Sequence, residues 1–132
     1  MGQNKWITIG AFFCLIAVAT GAFGAHALKT YLTPYQLEIW NKAVMYQFIH
    51  GLALCFTGIL SMIEEQPILT KAGWLFTIGI LCFSGSLYIL STVDLSGFSV
   101  KWAGPVTPMG GMCFIAGWLM LLLNGIKTKK EK

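Results

Sequence analysis

The chain contains no arginine, and its nine cationic side chains are all lysine. Arginine is the usual residue for bidentate contacts to phosphates and base edges, so its absence, with the lysines kept to connections and the tail, excludes a nucleic-acid partner. Charge of either sign is scarce, at 11% of residues. Soluble domains carry about 25%. A chain this poor in charge cannot cover itself against water, so most of its surface meets lipid. Carboxylates are limited to Glu38, Glu64, Glu65, Asp94 and Glu131, all in connections or near the ends of apolar runs. That leaves no acid–base pair inside a span, and no GxSxG, HExxH or CxxC spacing occurs. The reading is therefore not an enzyme, with no cofactor and no metal. The four cysteines, Cys14, Cys55, Cys82 and Cys113, fall one to each apolar run. There they read as small apolar packers rather than a disulfide framework or a thiolate centre.

Long apolar runs are what the chain has instead. About 20 apolar residues are needed to cross a bilayer as a helix. Runs at about 6–25, 44–63, 72–91 and 107–126 meet that length. Lys5 ahead of the first run and Ala25-x-Ala27 after it imitate a signal peptide. The run exceeds the usual core of about 7–15 residues, however, and reads as a span. The expected fold is all-α: one transmembrane domain, residues 1–132, of four helices in antiparallel up-down order. Thr33, Pro34 and Gln36 read as N-cap, N1 and N3 of a second helix extending over 34–63. Thr107 and Pro108 read the same way for the fourth. Lys5, Lys71, Lys127, Lys129, Lys130 and Lys132 fall on one side and Lys29, Lys42 and Lys101 on the other. The excess places both termini in the cytoplasm of a plasma-membrane protein.

Lipid offers no hydrophobic drive for helix association, so contacts are expected at small residues and at polar side chains recurring every three or four positions. The first helix offers Gly10, Cys14, Ala17, Gly21 and Ala25. The second offers Ala43, Gln47, His50, Leu54, Thr57, Ser61 and Glu64. The third offers Thr70, Gly73, Thr77, Leu81, Ser84, Tyr88 and Ser91, and the fourth Thr107, Gly110, Phe114, Gly117, Leu121 and Asn124. Gly21, Gly24, Ala25, Gly51, Gly85, Gly110, Gly111 and Gly117 are the expected packing positions. Most of the polar members need no role beyond packing. Gln47 and His50 are harder to place, because an amide or imidazole inside a span is costly without a partner.

Alternating helix direction gathers the unusual residues toward one leaflet, the outer one in this orientation. His26, Tyr46, Gln47, His50, Ser84, Ser86, Tyr88 and Thr107 form the candidate binding cluster. A haem or metal between His26 and His50 is disfavoured, since the two histidines differ in depth and neither has a carboxylate neighbour in sequence. The segments TGAFGAHAL, YQFIHGLAL, FSGSLYIL and TPMGGMCFIAGWL together resemble a family of small four-helix membrane proteins, the YgdD/YwdK-like proteins. The resemblance covers nearly the whole chain. It implies a plasma-membrane protein without an assigned activity and transfers no catalytic residue. The expected function is binding of a specific lipid, or of a partner membrane protein or second copy, at the cluster. The alternative is an oligomeric small-solute or proton pathway using His50 and Gln47.

Overall fold

The computed structural model describes the backbone of residues 4–97 and 99–130, and side chains through residue 126. Among the described residues four helices are long and apolar enough to cross a membrane: α1 (Lys5–His26), α2 (Pro34–Ile63), α3 (Pro67–Ser91) and α4 (Ala103–Lys130). Tail residues Lys127, Lys129, Lys130 and Lys132, which weigh on orientation, have side chains outside the described residues.

Each helix starts for a local reason. Asn4 caps α1, its side chain accepting from the Trp6 N–H. Thr33 and Gln36 form the expected capping box of α2, with Pro34 at the first helical position. Pro67 opens α3, five residues before the expected start of that span. The start of α4 also differs. Thr107 and Pro108 do not open it; it begins at Ala103 and carries Pro108 inside. Pro105 lies in the first turn, where its missing N–H is idle, and Pro108 removes the bond that would end on the exposed Gly104.

The helices pack in the order α1, α2, α3, α4. Glycine sets two close crossings. A Cβ on Gly10 would stand 2.6 Å from the Gly51 carbonyl oxygen and 2.8 Å from the Cys55 amide nitrogen, so α1 and α2 touch backbone to backbone. A Cβ on Gly110 would stand 2.4 Å from the Phe83 amide nitrogen, which brings α4 equally close to α3. Gly117 makes room for Phe76, and Gly24 for the Trp40 indole. Gly21 meets only Val44, and Gly111 touches the Phe83 ring at ordinary distance. Two expected packing positions are corrected. Ala25 is exposed, because the contact face of α1 runs through Ala17 and Gly24 and leaves it one step round the helix, and Gly85 faces open space.

α3 is not uniform. Residues Ile80–Ser84 form a π-helical turn between two α-helical stretches. Such a wide turn rephases the faces on either side. Before it Leu69, Ala72, Gly73 and Phe76 are buried; within it Ile80 and Ser84 are, and after it Ser86 and Ser91. Leu81, an expected contact, is turned outward. The apolar core joins Trp6, Ala53, Leu54, Ala72, Phe76, Ile80 and Phe114.

Candidate functional site: a braced interior and an open groove

The polar residues of the candidate cluster are brought toward the middle of the bundle, but as separate groups. Gln47, buried on α2, donates through Nε2 to the Phe13 carbonyl of α1 at 2.9 Å. Its Oε1 accepts from the Tyr88 hydroxyl of α3, also at 2.9 Å. Tyr88 is 3.0 Å from Thr20 Oγ1, and the Trp40 indole donates to the Thr20 carbonyl while meeting Tyr88 edge-on. One side chain thus ties three helices. In hydrocarbon such bonds are retained because nothing else can satisfy the groups.

Ser86 and Thr107 form a second brace, α3 to α4, with their hydroxyls 2.6 Å apart. Each hydroxyl also lies within reach of a carbonyl of its own helix, Ser86 of the Phe83 carbonyl and Thr107 of the Ala103 carbonyl, so one of the two donates across the brace and the other to its own helix. Ser84 stands at the end of the π turn, fully buried, and its hydroxyl has no partner among the described residues. His26 is exposed at the last turn of α1 and enters none of these hydrogen-bonded groups. The chain leaves α1 there through a 3-10 turn, Leu28–Thr30, so the ring ends on the rim instead of the interior.

His50 belongs to a third group. Its Nδ1 lies 2.7 Å from the Tyr46 carbonyl of the preceding turn, and its Nε2 lies 3.1 Å from the Trp118 indole nitrogen of α4. A carbonyl only accepts and an indole N–H only donates. The arrangement therefore fits one neutral tautomer, protonated at Nδ1, with both nitrogens engaged. The ring stacks flat on Phe114, centroids 3.5 Å apart. No group of three or more metal-binding side chains exists among the described residues.

Trp118 was not among the expected site residues, nor were Thr20, Trp40 or the Phe13 carbonyl. Trp118 and Phe114 lie one turn apart on α4, and that spacing was the available sign of a shared face.

Beside His50 the surface is open. The backbones of α2 and α4 stay apart, and a groove of about 440 Å³ runs between them. Tyr46, Ile49, His50, Phe114, Ile115 and Trp118 line it, with Met45, Phe83 and Gly111. Trp118, one of the lining residues, is 45% exposed. Replacing Tyr88 with phenylalanine should leave this groove unchanged and strip Gln47 Oε1 of its donor. The expected cost is about 1 kcal/mol in a detergent unfolding titration.

A family model described as "Protein of unknown function (DUF423)" matches residues 20–111. A UPF0382 membrane protein of Staphylococcus haemolyticus is 43% identical over 125 residues, covering 95% of this chain and 98% of its own. A UPF0382 membrane protein of Staphylococcus aureus shows the same identity and coverage. The UPF0382 membrane protein YwdK of Bacillus subtilis is 39% identical over 126 residues, covering 95% of this chain and 98% of its own. No solved structure matches the chain. Four spans, alignment over nearly the full length and relatives all called membrane proteins agree: the chain is a membrane protein of the DUF423/UPF0382 family.

Proposed function

We propose that the protein holds one lipid acyl chain in the groove between α2 and α4, as a plasma-membrane protein with both termini in the cytoplasm. The observation that carries this reading is the groove itself. It lies beside His50, near the midpoint of α2, at a depth where the solvent is hydrocarbon, and its walls are aromatic and aliphatic. The polar atoms at its base are already bonded to each other, so an apolar chain enters without stripping any of them of a partner. The lysine distribution supports the orientation, which labelling of single cysteines introduced beside Lys29 and Lys71 would check from either side.

A proton or solute pathway through His50 and Gln47 has less support. Both nitrogens of His50 and both polar atoms of Gln47 are occupied by protein partners. Opening a path would require those braces to part.

Gly111 gives the test. It lines the groove, and a Cβ there meets only the Phe83 ring, at 3.7 Å. Gly111→Leu should fit and fill the space. Native mass spectrometry of protein purified in mild detergent should show lipid retained by the wild type, and one lipid fewer per chain for Gly111→Leu with folding intact. Equal retention would overturn the reading. Crosslinking of two chains through this face in membranes would replace the lipid with a second copy.

A further inference from the structure

A second opening lies at the end of the bundle where α1 and α3 begin and α2 ends. It is a hollow of about 690 Å³ bordered by Asn4, Lys5, Trp6, Glu65, Thr70 and Lys71, among others. The two lysines come from different helices and both are exposed. Lys5 is held in place by aromatic faces. Its ammonium sits 4.7 Å from the centre of the Trp6 ring and 5.5 Å from that of Trp74. Those two indoles meet edge-on, with Trp6 buried and Trp74 half exposed. Tryptophans near the end of a span mark the headgroup level. The hollow is thus a cationic recess at the depth of lipid phosphates, with one ammonium positioned before any ligand arrives.

The remaining lining narrows the ligand. Glu65 opposes a headgroup whose charge is only negative, and Thr70 adds an exposed hydroxyl. A phosphate set beside an ammonium matches both signs: Lys5 and Lys71 face the phosphate, and Glu65 faces the ammonium. We propose that this hollow binds the headgroup of one phosphatidylethanolamine molecule. It stands at one end of the bundle between α1, α2 and α3, apart from the α2–α4 groove, and does not depend on that groove being occupied.

The test uses the full chain in detergent, titrated with phosphatidylethanolamine, phosphatidylglycerol and diacylglycerol of identical acyl chains, read by native mass spectrometry. The wild type should bind phosphatidylethanolamine about tenfold more than diacylglycerol, and more than phosphatidylglycerol. The doubly substituted Lys5→Gln, Lys71→Gln chain should lose the preference over diacylglycerol. Glu65→Gln should lose the preference over phosphatidylglycerol. Gly111→Leu should keep both preferences, which separates this site from the groove. All the substituted lining positions are on the surface, so folding is expected to survive and a melting curve would verify it. Equal binding of diacylglycerol, a preference that survives loss of both lysines, binding of phosphatidylglycerol equal to or above that of phosphatidylethanolamine, or displacement by millimolar inorganic phosphate would each overturn the assignment.

Discussion

Replacing Gly10 with alanine is expected to destabilise the bundle by roughly 3 kcal/mol, the upper end of what overpacking costs. The added methyl would meet backbone atoms, the Gly51 carbonyl oxygen and the Cys55 amide, and neither can rotate away. α1 must move outward. Doing so lengthens the bond from Asn4 to the Gly58 carbonyl, 2.8 Å, and the bond from Gln47 to the Phe13 carbonyl. Lipid supplies no hydrophobic force to press the helices together again, so lost contact is not recovered elsewhere. The comparison that isolates the effect is alanine at Gly85, which is helical and meets nothing within 4 Å. That change should be neutral or stabilising by up to about 1 kcal/mol, because alanine is the better helix former. Unfolding in mixed micelles measures both. A Gly10→Ala chain as stable as the wild type would mean that the crossing is looser than 2.6 Å implies.

How far the sequence leads differs from helix to helix. α2 is the most legible: of the residues expected on one face Ala43, Gln47, His50, Leu54 and Thr57 are buried, and Ser61 and Glu64, at its end, are half-buried. Its face is regular because the helix is regular and central. On α4, Gly110, Phe114, Gly117 and Asn124 are buried as their spacing implies. On α3 the same method holds for Gly73, Ser84 and Ser91, which are buried, and fails at Leu81, where the π turn changes the phase and no residue type announces it. Thr107–Pro108 imitates a helix start because proline favours the first turn, but Ala103–Gly104–Pro105 had already supplied one. The candidate cluster was gathered by residue type and depth, and most of its members are bonded inside the bundle. Their partners escaped notice because two of them, the Phe13 and Tyr46 carbonyls, are backbone atoms that every residue owns. A pattern of side chains carries no sign of which carbonyl a polar group will find.

His50→Ala is expected to cost about 3 kcal/mol, and a double-mutant cycle with Trp118 divides that figure into its causes. Removing the ring takes away its flat contact with Phe114 and leaves a void. It also leaves the Trp118 N–H facing hydrocarbon without an acceptor. His50→Phe keeps a ring over Phe114 and loses the bond, so it should cost only about 1–2 kcal/mol. Trp118→Phe should cost about the same, by orphaning Nε2. Once either partner is gone, the second change has little left to break. The coupling between the two phenylalanine substitutions should therefore be near 1 kcal/mol. That coupling bears on the groove, because the backbones of α2 and α4 stay apart and this bond joins them across the gap. If His50→Ala is costly but the coupling is zero, stacking alone holds the ring and Trp118 swings freely at the groove wall. If both appear, the wall is pinned and the groove keeps its width when empty. A bound acyl chain then encounters a preformed surface and loses less affinity to ordering it. The same pin ties α4 to α2 as well as to α3. Breaking it should loosen α4 specifically, with faster hydrogen exchange around Phe114–Trp118 and unchanged protection at the Gly10–Gly51 crossing.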